Sequence, residues 1–154
     1  MSYKKAVAAM FLIGTLSASA IAADLIDGSD PNAVLDVARN YGSASLTTDG
    51  QGDPMIEATM GGKDYRVIFY DCENNQNCKA IHFWTWFESP SATADAMVEW
   101  NRNERFGKAY LDSDRDPNIE WDINLRFGVT RANLDDSFDW WRIVLEEFQK
   151  HLNR

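Results

Sequence analysis

Two runs, KDYRVIFYDC at 63–72 and CKAIHFWTWF at 78–87, alternate in character along their length and meet across a pair of cysteines six positions apart. Suppose Cys72 and Cys78 face each other. The antiparallel partners on their face are then Tyr70–Ala80, Ile68–His82, Arg66–Trp84 and Asp64–Trp86. The other face receives Phe69–Ile81, Val67–Phe83 and Tyr65–Thr85, a continuous apolar surface of the kind a half-buried antiparallel pair presents to a core. The run MIEATM at 55–60 joins through Gly61-Gly62, a two-residue hairpin turn. That turn sets Ile56 against Val67 on the core face and Glu57 against Arg66 on the other. Three strands thus agree on which face is inside.

Something must cover that face, and the remaining periodicities supply it. Asp30-Pro31 gives a capping side chain and a proline suited to a first helical turn, so the spacing predicts a helix over 31–41 with Val34, Leu35, Val37 and Ala38 inward. SASLTT at 43–48 reads as a strand. Ser89-Pro90 repeats the cap-plus-proline signal and predicts a helix to about Arg105 with Ala96, Met97 and Trp100 inward. KAYLD follows as a strand, then the turn SDRDP. NIEWDINLRF places Ile119, Trp121, Ile123 and Leu125 on one face and Glu120, Asp122 and Asn124 on the other. Thr130 caps a last helix whose apolar positions, Leu134, Phe138, Trp141, Leu145, Phe148 and Leu152, are spaced 4, 3, 4, 3, 4 and form one stripe. The order α-β-β-β-β-α-β-β-α predicts an α+β fold, a two-layer sandwich of an antiparallel sheet with helices on one side.

The N-terminus points to export. MSYKK is a short basic start, and AVAAMFLIGTLSASAIA is apolar but too short and too rich in small residues for a spanning helix. Residues 1–23 therefore read as a cleaved signal peptide, cut after Ala22 or Ala23. Residues 24–154 remain, one domain by length. The expected location is the periplasm or the exterior. Loss of Lys4 and Lys5 takes the formal net charge from −9 to −11. So acidic a chain has no attraction for phosphate backbones or anionic lipid, and neither nucleic acid nor a membrane surface is an expected partner.

Export also bears on the two cysteines. In an oxidising compartment two cysteines make one bond, and the register sets them opposite each other beside a five-residue loop. A structural Cys72–Cys78 disulfide is the expected state. A metal site would have two thiols and His82, one ligand short of tetrahedral zinc. A redox site would lack the C-x-x-C spacing and the helix start that lowers a thiol pKa.

YDCENNQNCKAIHFWTWF followed by EWNRNERFGKAYLDSDRDPNIEWDINL resembles the YbjN-domain family of bacterial proteins, from about Ala33 to Phe148. Its most specific part runs from Trp100-Asn101 through Arg105-Phe106 and Ala109-Tyr110-Leu111 to Asp122. The resemblance implies a fold similar to the chaperones of type III secretion, in keeping with the element order. The family carries the label of a sensory-transduction regulator, which names no chemistry.

Several residue patterns invite a sharper chemistry. Asp112, Asp114 and Asp116 alternate as in a calcium loop, but Pro117 and Ile123 stand where an EF-hand needs glycine and glutamate, so a polar hairpin turn is expected. Glu120 and Asp122 share a strand face and could act as an acid/base pair, with no nucleophile or phosphate cradle legible beside them. His82 pairs with Ile68, and His151 falls in the last turn of the final helix, expected to be frayed. No catalytic residue, metal ligand or cofactor is assigned. Trp100, Trp121 and Trp141 fall on core stripes. Trp84 and Trp86 do not: they share the non-core face with Arg66, Tyr70 and His82, where Arg66 can lie over Trp84 and be held by Glu57. That face is either covered by another element, such as the Trp140 side of the last helix, or open to a partner.

The expected function is that of an exported non-enzymatic binding module, an adaptor or chaperone-like domain. Its partner is a protein or peptide, basic in character, or a second copy of the chain, held on the face of Arg66, Tyr70, His82, Trp84 and Trp86. The alternatives are a carboxylate-based hydrolase-like enzyme and a calcium-stabilised structural domain.

Overall fold

Alternation along the chain becomes one antiparallel sheet of six strands in the computed structural model, which describes residues 25–153. The expected signal peptide lies outside the described residues. In chain order the elements are β1 (Leu25–Ile26), α1 (Pro31–Ala38), β2 (Ala44–Thr48), β3 (Pro54–Met60), β4 (Lys63–Tyr70), β5 (Ala80–Trp86), α2 (Ala94–Asn103), β6 (Lys108–Leu111), β7 (Pro117–Asn124), β8 (Val129–Thr130) and α3 (Arg131–Leu152). The large sheet runs β2-β3-β4-β5-β7-β6. The fold is α+β, a two-layer sandwich with the helices packed on one face of that sheet.

The register is the one the sequence predicts. Ile56 stands opposite Val67 and Glu57 opposite Arg66. Arg66 faces Trp84, Val67 faces Phe83, and Tyr70 faces Ala80. Gly61 and Gly62 turn the chain with φ of 58° and 82°. Glycine adopts this pair of left-handed conformations without a steric cost. The core face then presents Ile56, Val67, Phe69, Ile81 and Phe83, all fully buried.

Phe83 is the centre of the core. Its ring lies 4.9 Å from Phe138 and 5.3 Å from Trp141 of α3, 5.9 Å from Trp121 of β7 and 6.4 Å from Tyr65 of β4. A second cluster forms around Phe148, whose ring is 4.9 Å from Trp100 of α2 and 5.3 Å from Phe87. The stripe on α3 therefore serves two packing sites a few turns apart.

The helix starts are set by side-chain caps. Asp30 accepts the backbone N–H groups of Asn32 and Ala33 ahead of α1, with Pro31 in the first turn. Thr130 Oγ1 accepts from Asn133 at 3.1 Å at the start of α3. The helix expected from Ser89-Pro90 begins later. The Ser89 carbonyl is taken by a turn from Ala92, and Thr93 Oγ1, 3.2 Å from the Ala96 nitrogen, caps α2 instead. His151 is not frayed: its Nε2 lies 2.8 Å from the Ala96 carbonyl and its ring packs by Trp100, tying the last turn to α2.

Two short strands escape the periodicity argument. β1 pairs with β8, and the segment after β1 runs on to Cys78, whose N–H donates to the Gly28 carbonyl at 3.2 Å. A side chain at position 28 would meet the Cys78 carbonyl at 2.0 Å, so only glycine lets the strand end lie this close. Cys78 is buried there and bonded to Cys72. The disulfide closes the β4–β5 loop at the far end from the Gly61-Gly62 turn.

Closing so short a loop constrains the unfolded chain only modestly. Replacing both cysteines, Cys72→Ser with Cys78→Ser, is expected to leave a cooperative folded protein that is less stable by about 2 kcal/mol in urea unfolding. Unchanged stability, or loss of the fold, would remove the staple from this role.

Candidate functional site

The face of the sheet turned away from the helices carries a row set by register across five strands: Glu57, Arg66, Trp84, Glu120 and Lys108. Charge alternates along it with an indole in the middle. Arg66 Nη2 lies 3.7 Å from Glu57 Oε1, and its guanidinium sits 5.5 Å from the centre of the Trp84 ring. Lys108 Nζ pairs with Glu120 Oε1, which raises the lysine pKa through that hydrogen bond and charge. Both ion pairs have an exposed member, so they contribute little stability and act mainly to orient side chains.

Trp84 is held on its other side from below. Its Nε1–H donates to Asn118 Oδ1 at 3.0 Å. Asn118, 2% exposed, uses its Nδ2 to donate to Asp112 Oδ2 at 3.1 Å and to the Asp116 carbonyl at 2.9 Å. Asp112 Oδ1 accepts the backbone N–H groups of Asp114 and Asp116. The alternating aspartates therefore build a turn that braces the indole. The Asp112 carboxyl is held below its ordinary pKa, first by the Asp116 N–H and then by Asn118.

Trp86 stacks on Trp84 with ring centres 5.3 Å apart and is 38% exposed. Lys63 Nζ lies 5.5 Å from the centre of that ring and 4.4 Å from that of Phe87. Burial of this ammonium lowers its pKa, with Asp64 and Glu88 opposing. Tyr70, 47% exposed, meets the edge of the His82 ring at 5.5 Å. Burial, then the charges of Asp122, Asp49 and Glu120, raise its pKa. Beside these rings a groove of about 450 Å³ runs toward β2, lined by Ser45, Glu57, Thr59, Asp64, Arg66 and Trp86.

All five residues expected on the non-core face, Arg66, Tyr70, His82, Trp84 and Trp86, do share it. Trp140 does not cover them. It packs at 5.0 Å on Phe106, which packs at 5.0 Å on Trp121, on the helix side of the sheet. The open alternative therefore describes this face among the described residues.

His82 does face Ile68, as the sequence predicts, but it also gains polar partners that the sequence analysis did not assign. β5 pairs with β7, and this puts Asp122 directly opposite His82. Its Nδ1 lies 2.7 Å from Asp122 Oδ1 and its Nε2 3.7 Å from Glu120 Oε2. Asn118, which the same pairing brings beside Trp84, was missed for the same reason. Matching the alternation of 118–125 to that of 80–86 would have brought them together. Among the described residues no group of three or more histidine, cysteine or acidic side chains is gathered to hold a metal ion. None of the helices there is long and apolar enough to cross a membrane.

Fold and face together define a small α+β domain with one sheet surface committed to the core and a braced aromatic surface opposite. The chain belongs to the YbjN family, described as "Putative bacterial sensory transduction regulator", whose model matches residues 30–154. Comparison with curated proteins gives no significant match, and neither does comparison with solved structures.

Because Asp112 is bound through its anion, its lowered folded pKa stabilises the protein above the unfolded value and that contribution disappears as pH falls. Asp112→Ala is expected to lower Tm at pH 7, with the gap to the parent narrowing below about pH 4. Near-ultraviolet circular dichroism should show the Trp84 environment loosen in the variant. Calcium is expected to leave both melting temperatures unchanged. A gap that does not vary with pH, or a calcium-dependent rise, would contradict the turn's assignment.

Proposed function

We propose that the protein is an exported, non-enzymatic binding module, an adaptor or chaperone-like domain that holds a basic segment of another protein on the open face of its sheet. The observation that carries this reading is the stacked Trp84–Trp86 pair. Its rings stand on a face the core does not use, and Trp84 is fixed in place by the buried Asn118 amide. Tryptophans fixed in this way lose little conformational freedom on binding, which is why such rings dominate binding energetics. The formal net charge of −9 and the rim carboxylates Glu57 and Asp64 favour a basic partner. Membership of a family described as regulatory agrees with a role in binding. The Cys72–Cys78 bond is compatible with an oxidising compartment.

A second reading has one specific observation in its favour. His82 stands between Asp122 at 2.7 Å and Glu120 at 3.7 Å. An acid–base enzyme uses clusters of this kind. Among the described residues, no hydroxyl or thiol hydrogen-bonds to this histidine as a nucleophile would. Binding is therefore the better supported of the two.

The test is capture of a partner from the exported fraction with the parent chain, its identification, and the same capture with Trp84→Ala plus Trp86→Ala. Truncating a central ring is expected to cost about 2 kcal/mol or more of binding energy, enough to lose the partner. Melting should fall only modestly, by the loss of the Trp84 bond to Asn118, because Trp86 is exposed and Trp84 half-buried. Retained binding would refute the site, and a large fall in stability would make these rings structural. Should His82→Gln instead abolish hydrolysis of a substrate found by screening, the enzyme reading would replace this one.

A further inference from the structure

The two outer strands of the sheet end differently. On β6, the Asn101 side chain from α2 does what a neighbouring strand would do. Its Nδ2 donates to the Ala109 carbonyl at 2.8 Å, and its Oδ1 accepts the Ala109 N–H at 2.8 Å. That edge is closed at its midpoint.

At the opposite edge, β2 has no such cover. The Thr59 N–H donates to the Ser43 carbonyl and the Asp49 N–H to the Asp53 carbonyl, each at 2.9 Å. Residues 43, 45, 47 and 49 therefore turn their backbone groups toward β3, and Ala44, Leu46 and Thr48 turn theirs outward. The Ala44 carbonyl receives a long bond from Arg39 Nε at 3.4 Å. Among the described residues nothing meets the outward groups of Leu46 and Thr48. The strand reads ASLTT, without the lysine or proline that commonly blunts an edge. Leu46 itself is 39% exposed.

We propose that β2 accepts an extended peptide as a seventh strand, and that this peptide carries a lysine or arginine beside Ser45. The proposal rests on the reading of the protein as a binding module and names how and what it binds. A residue added opposite Ser45 would lie on the open face, at the mouth of the groove. The small side chains of Ser43 and Ser45 leave that mouth low. The nearest carboxylate along the row is Glu57 on β3, two strand spacings, or about 10 Å, from the added strand. Only a long side chain with a cationic head spans most of that distance. The Glu57 carboxylate is half-exposed and only loosely engaged by Arg66 at 3.7 Å. It therefore keeps lone pairs for a second cation.

A second copy fits less well. It would bring two chains of net charge −9 together along five residues of edge. That is a short contact beside the roughly 1600 Å² of a standard interface.

The test uses a fluorescent synthetic peptide rich in threonine and valine with one central lysine, and its glutamate counterpart. Anisotropy should show the lysine peptide binding and the glutamate peptide binding more weakly, with Glu57→Gln erasing the difference. At saturation, amide exchange should slow at Leu46 and Thr48. Leu46→Pro removes an outward donor and spares the ladder to β3, so binding should weaken about tenfold with the fold retained. If that variant fails to fold, the exchange measurement on the parent chain decides. Unprotected Leu46 and Thr48 amides under saturating lysine peptide would overturn the proposal, and so would equal binding of the two peptides. Protection at these amides without peptide, in a chain of dimeric mass, would assign the edge to a second copy instead. Loss of partner capture on removing Trp84 and Trp86, with β2 unprotected by the peptide, would leave the binding module standing and strand addition refuted.

Discussion

Phe83 can occupy the centre of the core only while β4 and β5 keep one register. Opposite Val67, it points toward α3, where Phe138 and Trp141 receive it. A slip of one residue would exchange the faces of the whole strand. His82 and Trp84 would then enter the core and Phe83 would meet water. The cost of burying an imidazole beside apolar rings, and of leaving a phenylalanine exposed, rules that arrangement out. Turn and disulfide fix the two registers of β4 from its opposite ends: Gly61-Gly62 sets β3 against β4, and Cys72–Cys78 closes β4 to β5.

The same constraint creates the functional surface. Period-two alternation that sends Phe83 inward must send Trp84 outward, and the residues flanking Phe83 are committed with it. An outward tryptophan on a flat sheet would be mobile. Here the buried amide of Asn118 holds the indole nitrogen, and Asp112 and the Asp116 carbonyl hold the amide. A polar turn on one hairpin thus fixes an aromatic ring on another strand. The open face is braced by hydrogen bonds that a buried polar side chain is bound to make.

Much of this was legible in residues 55–87, because short turns leave the register no freedom and alternation names the inner face. Legibility ended where partners are distant in sequence. The β5–β7 pairing spans α2 and β6, so neither the Asp122 partner of His82 nor the Asn118 brace of Trp84 could be read from local spacing. Ser89-Pro90 carried a helix-start signal, yet Thr93 made the cap, because cap composition does not say which hydroxyl reaches the amide. Whether Trp140 covers the non-core face or leaves it open stayed undecided in the sequence; it packs on Phe106 instead, since the side of α3 it occupies depends on how the helix rotates over the sheet. The bond from Asn101 to the β6 backbone is a tertiary contact with no sequence signature of its own.

The central claim is that the sheet has one buried and one open face, with Trp84 and Trp86 on the open one. Hydroxyl-radical footprinting of the folded monomer, read by mass spectrometry, tests it residue by residue. Tyr70 and Trp86 should be oxidised readily and Trp84 more slowly, while Phe83, Trp100 and Trp141 stay protected until the protein unfolds. Protection of Trp84 and Trp86 equal to that of Trp141 in the monomer would contradict the account.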